Sequence, residues 1–109
     1  MIQRVLIVDS NKAYANIVKE SLVTYYINKC NIEVAINGSE IKRRVNENKK
    51  YDLIIADTSV SADGEEMNRN LHKLGKEIVI WSTYAKCLKK PIGAIEINRA
   101  IPQLVSTIY

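Results

Sequence analysis

Short apolar runs alternate with longer amphipathic stretches along this chain, and no other feature of the sequence limits the fold as strongly. The runs are rich in β-branched residues and are apolar at successive positions, as expected for strands covered on both faces. We predict five strands, at Arg4–Val8, Ile32–Ile36, Leu53–Ala56, Ile78–Trp81 and Ala94–Ile97. Strands that alternate with helices are typical of βα repeats, so the sequence predicts a doubly wound α/β fold with a five-stranded parallel sheet.

The amphipathic stretches predict a first helix whose inward stripe runs from Tyr14 to Tyr25, and two further helices over about 39–48 and 65–74. Ser10 or Asn11 is the expected N-cap of the first helix, and Ser39 that of the second. Gly75 ends the third helix, as a C-terminal glycine should. The inward faces are expected to carry Tyr14, Ile17, Val18, Ser21, Leu22 and Tyr25, then Ile41 and Val45, then Met67, Leu71 and Leu74.

The chain beyond the fourth strand fits two registers. One places the last strand at Cys87–Lys89, directly before Lys90-Pro91. The other places a short fourth helix at Tyr84–Lys90, the last strand at Ala94–Ile97 and a last helix at Ile101–Ile108. Parallel neighbours need a crossover of about a dozen residues, and the first register leaves roughly five between the strands. We therefore predict the second register, with a shortened fourth helix.

Length and composition indicate one ordinary globular domain. The 109 residues fit a single domain over 1–109, and 47% are hydrophobic while 26% are charged. No apolar run approaches the ~20 residues that cross a bilayer, and no signal peptide is recognisable, so we expect a cytoplasmic protein without membrane association. Cys30 and Cys87 lack CxxC spacing, which predicts reduced, structural thiols.

The net charge of +4 raises the question of nucleic-acid binding. The basic residues form small groups interleaved with acidic ones, and no aromatic platform accompanies them. These groups are Lys42-Arg43-Arg44, Lys49-Lys50 and Lys89-Lys90. We interpret them as solvated helix faces and do not expect direct contact with nucleic acid. Contact with an acidic partner is the alternative.

Polar residues follow the predicted strands at their carboxyl ends. In an open parallel sheet, ligands bind in the crevice outside these ends. Asp9 and Ser10 follow the first strand, Asp57 and Thr58 the third, Ser82 and Thr83 the fourth, and Asn98 and Arg99 the fifth. The sequence therefore places two carboxylates, those of Asp9 and Asp57, at one edge of the sheet.

Three stretches resemble a known family. They are VLIVDSN at 5–11, YDLIIADTSVSADG at 51–64 and IVIWSTY at 78–84. Together with the order and spacing of the βα units, they are similar to the receiver domains of bacterial two-component response regulators. The resemblance implies that Asp57 is the phosphoacceptor of a histidine kinase and that Asp9 and Asp57 contribute to a Mg²⁺ site. It also implies that Ser82, or Thr83 beside it, is the switch hydroxyl.

Several positions depart from the family pattern. The second acidic residue after the first strand, a direct magnesium ligand in the family, is Ser10 here, and a neutral hydroxyl is a poor substitute for it. The family lysine that ends the fifth strand is Asn98 or Arg99 in the predicted register, since Lys90-Pro91 comes before that strand. Phosphoryl transfer needs the cation and the lysine together. These departures predict impaired or absent phosphorylation of Asp57.

We predict a non-enzymatic signalling module that acts by protein–protein contact, with a histidine kinase or a downstream regulator as partner; homodimerisation is open. One alternative is a working phosphoacceptor that uses Asp57 with Mg²⁺, and no other cofactor is expected. A second alternative is a small flavodoxin-like enzyme or cofactor-binding domain, although no glycine-rich phosphate loop is present. Structural roles also compete, because Asp9 can cap or hydrogen-bond the start of the first helix, and Ser82 and Thr83 can bond to local backbone.

Overall fold

The computed structural model describes residues 4–26, 30–57, 60, 63–82, 88–89, 95–97 and 99–100. Tyr25, Tyr26, Ser82, Leu88 and Lys89 are described by their backbone alone. The strands are β1 (Arg4–Val8), β2 (Asn31–Ala35), β3 (Leu53–Ala56), β4 (Ile78–Ser82) and β5 (Leu88–Lys89). The helices are α1 (Lys12–Tyr26), α2 (Gly38–Asn46) and α3 (Gly64–Leu74). Residues 95–97 and 99–100 are also helical and form the C-terminal helical segment.

The five strands form one parallel sheet in the order β2-β1-β3-β4-β5. The chain first moves outward from β1 to β2 and then returns to the other side of β1 to build β3, β4 and β5. This reversal places α1 on one face of the sheet and α2 and α3 on the other. The predicted doubly wound α/β class is confirmed. Among the described residues, no helix has the length and apolar character needed to cross a membrane.

Two hydrophobic cores lie on the two faces of the sheet because successive strand residues point in opposite directions. Against α1 pack Val5, Ile7, Leu53 and Ile55, and against α2 and α3 pack Leu6, Val8, Ile54 and Ala56. Each of these side chains is at most 3% exposed. The central strands are thus fixed on both sides, and the residues that follow them are held in defined positions.

Side-chain capping sets the start of α2. Asn37 accepts the N–H of Glu40 on its Oδ1 (2.9 Å), and the Glu40 carboxylate accepts the N–H of Ile36 (2.8 Å). The helix therefore begins at Gly38, and the prediction of Ser39 as its cap is wrong, because the Asn37 side chain already satisfies the first turn.

The end of α3 lies against the start of β3. Gly75 ends the helix as predicted, and the N–H of Tyr51 donates to the carbonyl oxygen of Leu74 (2.7 Å). A Cβ atom on residue 75 would lie 2.7 Å from the carbonyl oxygen of Tyr51, so only glycine fits without a shift of the backbone. The predicted inward residues Met67, Leu71 and Leu74 are buried.

The last strand lies where the rejected register places it. Leu88 pairs with Trp81 and Lys89 with Ser82, so β5 is Leu88–Lys89, and the predicted strand at Ala94–Ile97 is wrong. Ile95 to Ile97 are helical, and Ile95 is exposed while Ile97 is buried. The predicted helix over Tyr84–Lys90 is likewise wrong at Leu88 and Lys89; its other residues, and those of the predicted helix at Ile101–Ile108, lie outside the described residues.

The physical reason for this correction is the length of β5. A crossover of a dozen residues is needed when the chain must return to the far end of a full-length neighbour. Here β5 has two residues, which pair with the last two of β4. The return is about 5 Å sideways and about 3 Å back, a distance that residues 83–87 can span.

A cluster of polar side chains surrounds Glu33 on β2. Its carboxylate lies 3.3 Å from Arg4 Nη2, 3.3 Å from Lys49 Nζ and 3.5 Å from Arg44 Nε. The Tyr51 hydroxyl donates to Glu33 Oε1 (3.1 Å) and accepts from Arg44 Nε (3.1 Å). These five residues are the Glu33 cluster. Arg44 is 5% exposed, so its interpretation as part of a solvated helix face is wrong.

The surroundings of Glu33 favour its ionised form. Burial acts to raise the pKa of the carboxyl, but hydrogen bonds from Tyr51, Lys49 and Arg4 outweigh it, and the pKa lies below its ordinary value. The cluster connects β1, β2 and α2 and thereby fixes the outer strand of the sheet.

Candidate functional site

Asp9 and Asp57 lie side by side at the carboxyl ends of β1 and β3. Val8 pairs with Ala56, so the next residue of each strand reaches the same level of the sheet. The N–H of Asp57 donates to Val8 O (2.8 Å), and that of Asp9 donates to Ala35 O (3.0 Å). Asp9 is 4% exposed and Asp57 is 7% exposed. Two carboxylates in such a position repel each other when both are ionised, and a cation between them lowers this repulsion.

Asp9 also organises the start of α1. Its Oδ1 accepts the N–H of Asn11 (2.9 Å), and the Oδ1 of Asn11 accepts the N–H of Tyr14 (3.0 Å). Asn11, one of the two predicted caps, thus caps the helix, while Asp9 holds the turn before it. Ser10, the other predicted cap, is exposed. The structural role proposed for Asp9 is therefore present beside its place in the carboxylate pair.

Tyr14 reaches the carboxylate pair from the first turn of α1. It borders a cavity of about 10 Å³, which is large enough for about one water molecule. This cavity is lined by Ile7, Val8, Asp9, Tyr14, Val18, Ile55, Ala56, Asp57 and Trp81. Burial raises the pKa of the Tyr14 phenol far above its ordinary value, and the charges of Asp9 and Asp57 raise it further.

Tyr14 also contacts Trp81, the last but one residue of β4. The two ring centroids lie 6.0 Å apart at an interplanar angle of 74°, an edge-to-face arrangement. Sequence reasoning placed both aromatic residues in the core and missed their position beside the carboxylates. The inward stripe of α1 begins at Tyr14, only five positions after Asp9, and this spacing could have indicated that Tyr14 lies near the carboxylates.

The other predicted site residues are distributed differently. Ser82 ends β4 and its backbone pairs with Lys89, while Thr83 and Asn98 lie outside the described residues. Arg99 is exposed in the C-terminal helical segment. The prediction that Asn98 or Arg99 ends the fifth strand is wrong, because that strand ends at Lys89.

Lys90-Pro91 follows β5 directly in the sequence. This is the order, a lysine and then a proline after the fifth strand, that the resemblance to receiver domains implies. The predicted register put Asn98 or Arg99 at the position of the family lysine, and the observed β5 makes Lys90 the candidate instead. Lys90 itself lies outside the described residues.

The described acidic residues offer a small donor set for a metal ion. Among the described residues, no group of three or more His, Cys, Asp or Glu side chains meets at one point. Mg²⁺ is commonly held by one or two carboxylates and several water molecules. Asp9 and Asp57 fit this minimal set, whereas Asp63 caps α3 by accepting the N–H of Glu66 (3.0 Å). A cation here would be held by two carboxylates and would keep much of its hydration.

Comparison with family models and with curated proteins finds no match. Solved structures do match. The receiver domain protein (CheY-like) from Methanospirillum hungatei is 21% identical, with a TM-score of 0.70 over 99% of this chain and 97% of that one. The response regulator domain of Thermotoga maritima CheB is 18% identical, with a TM-score of 0.71 over 99% and 94%.

A third similar structure is the N-terminal domain of a response regulator/sensory box/GGDEF 3-domain protein from Carboxydothermus hydrogenoformans. It is 16% identical, with a TM-score of 0.71 over 97% of this chain and 93% of that one. Sequence identities this low support a shared fold but not a shared function. The sheet order, the faces covered by the helices and these three likenesses agree: the chain has the fold of response-regulator receiver domains.

Proposed function

We propose that this chain is a receiver-like signalling module that acts through protein–protein contact and does not depend on phosphorylation of Asp57. The observation that carries the proposal is Ser10, an exposed neutral residue at the position where the family it resembles has a second magnesium-binding acid. A magnesium ion bound by two carboxylates is held more weakly than one that gains a third. Transfer to Asp57 is slow when the cation is seldom in place.

The hydrogen bond from Asn11 to Asp9 supports the same proposal. Because Oδ1 of Asp9 accepts the N–H of Asn11 at 2.9 Å, part of this carboxylate serves the start of α1. The remaining capacity for a cation is smaller than that of two unengaged carboxylates. The proposed partner is a histidine kinase or a downstream regulator, and we propose no enzymatic activity.

A second candidate function is a working phosphoacceptor, and one observation favours it. Lys90-Pro91 follows β5 in the sequence, so the lysine that would neutralise a phosphoryl group on Asp57 has a position in the chain. In this alternative, Asp9 and Asp57 hold Mg²⁺ and Ser82 supplies the hydroxyl that bonds to the phosphoryl oxygen.

Intact mass measurement after treatment with acetyl phosphate and Mg²⁺ distinguishes the two. We expect no added phosphoryl group on the wild-type chain. A base-labile addition that is absent from Asp57→Asn would establish the phosphoacceptor instead. Binding of a histidine kinase or regulator by the wild-type chain and by Asp57→Asn with equal affinity would support the first proposal.

The substitution Ser10→Asp tests whether the missing acid is the cause. It restores a second carboxylate after β1, and we expect phosphoryl labelling to appear or to rise strongly. Ser39→Asp, on the exposed start of α2, is the matched control and should leave labelling unchanged. If Ser10→Asp has no effect while Lys90→Ala abolishes residual labelling of the wild-type chain, then Ser10 is not what limits the reaction.

A further inference from the structure

We propose that Tyr14 is a positioning residue that couples the Asp9–Asp57 pair to the edge strand β5, with Trp81 as the intermediate contact. A change of charge at the carboxylates would move the Tyr14 side chain, and Trp81 would move with it. This coupling differs from the hydroxyl switch that the family resemblance implies, and it operates whether or not Asp57 is phosphorylated.

The first link joins the carboxylates to Tyr14. A chain of two hydrogen bonds runs from Asp9 through Asn11 to the backbone N–H of Tyr14, at 2.9 Å and 3.0 Å. The side chain of Tyr14 shares a cavity wall with Asp9 and Asp57. Backbone and side chain of the same residue thus both lie against the carboxylate pair. Burial is the main cause of the raised pKa of the phenol, and the charges of Asp9 and Asp57 raise this pKa further.

The second link joins Tyr14 to β4. Its ring meets that of Trp81 edge to face, with centroids 6.0 Å apart. The cavity between these rings and the carboxylates is only about 10 Å³. Closely packed groups cannot shift independently, so displacement of the Tyr14 ring has to displace Trp81, which is 4% exposed.

The third link joins Trp81 to the edge of the sheet. Trp81 pairs with Leu88, and Ser82 pairs with Lys89, so the paired residues of β5 depend on the end of β4. A strand of two residues has few bonds to hold it, and its position therefore follows that of its neighbour. The carboxylate pair can in this way change the surface at the β5 edge.

A double-mutant cycle tests the coupling, because it isolates the interaction between two sites. Asp57→Asn is made in the wild-type, Tyr14→Phe and Tyr14→Leu chains. The readouts are the fluorescence of Trp81, the only tryptophan in the sequence, and the amide chemical shifts of Leu88 and Lys89. In the wild-type background we expect Asp57→Asn to shift the emission and both amides.

In the Tyr14→Leu background we expect Asp57→Asn to give less than half of the wild-type shifts in Trp81 emission and in the two amides. In the Tyr14→Phe background we expect shifts of intermediate size. Tyr14→Phe keeps the ring and the fold, so a loss of response there cannot be attributed to unfolding. Asp52→Asn, which neutralises an exposed carboxylate at the other end of β3, is the control and should leave Trp81 unchanged. Equal shifts in all three backgrounds, or none in the wild-type chain, would overturn the coupling.

Discussion

The Asp9–Asp57 pair and the Glu33 cluster are both polar regions within the fold, and their charges are arranged in opposite ways. In the Glu33 cluster, one carboxylate meets three cationic side chains and a phenol. In the pair, two carboxylates lie next to each other at the end of the sheet. The first arrangement stabilises a fold, while the second costs stability and is typical of binding sites. Both regions bury charged groups, so burial alone does not distinguish a binding site from a structural cluster. The difference lies in the charge next to each described carboxylate, because cations surround Glu33 whereas Asp9 and Asp57 lie beside each other.

The largest expected effect comes from breaking the Glu33 cluster. Glu33→Gln removes the carboxylate that Arg4, Arg44 and Lys49 share, and leaves the buried Arg44 guanidinium without its counter-ion. We expect the free energy of unfolding to fall by about 3 kcal/mol in urea denaturation. Glu47→Gln breaks an exposed pair with Arg43 at 3.7 Å and should cost at most about 0.5 kcal/mol. Equal effects of the two substitutions would contradict the structural role of the cluster.

The second largest effect is expected from a substitution in the close packing beside Tyr51, a member of the Glu33 cluster. Gly75→Ala places a methyl group 2.7 Å from the Tyr51 carbonyl oxygen, so the backbone has to move. We expect a loss of about 2 kcal/mol in thermal or chemical unfolding. Gly64→Ala is the matched control, since nothing lies within 4 Å of a Cβ there, and it should be neutral or slightly stabilising.

A smaller effect of opposite sign is expected at the carboxylate pair. Asp57→Asn removes one of two adjacent negative charges. We therefore expect the free energy of unfolding to rise by about 1 kcal/mol at neutral pH. Asp52→Asn weakens the bond from the Arg4 N–H to the Asp52 carboxylate (2.9 Å) and should not stabilise. A loss of stability in Asp57→Asn would mean that attractive contacts of this carboxylate outweigh the repulsion from Asp9.

The smallest effect is the pH dependence of the Glu33 cluster. The pKa of Glu33 is lowered in the folded chain, so the unfolded chain binds more protons in acid. The contribution of Glu33 is therefore complete above the ordinary carboxyl pKa of about 4.3 and is lost as the pH falls through the folded value. Urea denaturation between about pH 6 and pH 3 should show a flatter profile for Glu33→Gln than for the wild-type chain. Parallel profiles would assign the acid sensitivity to other groups.

Periodicity was sufficient to predict the first four strands of the sheet. The apolar runs at β1 and β3 and the amphipathic pattern of α3 lie within two residues of their observed bounds, because both cores depend on them. The adjacency of Asp9 and Asp57 also follows from the parallel order of β1 and β3. The roles of Asp57, Ser82 and Thr83 in phosphoryl transfer stay predictions.

Three features could not be predicted from local patterns. β5 was missed because a rule for full-length strands does not hold for a strand of two residues. Arg44 was taken for a surface residue because its partner Glu33 is distant in sequence, and only the fold brings them together. Tyr14 matched an ordinary core stripe, and its position beside the carboxylates depends on the capping bonds through Asn11. Each of these features depends on contacts between elements and not on the period of one element.

The two outer strands of the sheet, β2 and β5, are the places where a strand of another molecule could pair with it. A long, bare outer strand can pair with another molecule and start polymers, and short or charged outer strands prevent this. β5 has two residues, and on β2 the guanidinium of Arg44 donates to the carbonyl oxygen of Val34 (3.3 Å), which points away from β1. The shortness of β5 and the bond to Val34 on β2 both reduce the backbone that a foreign strand could join. We therefore expect a protein that docks at either strand to depend more on side chains, and those are what mutation can change without disturbing the fold.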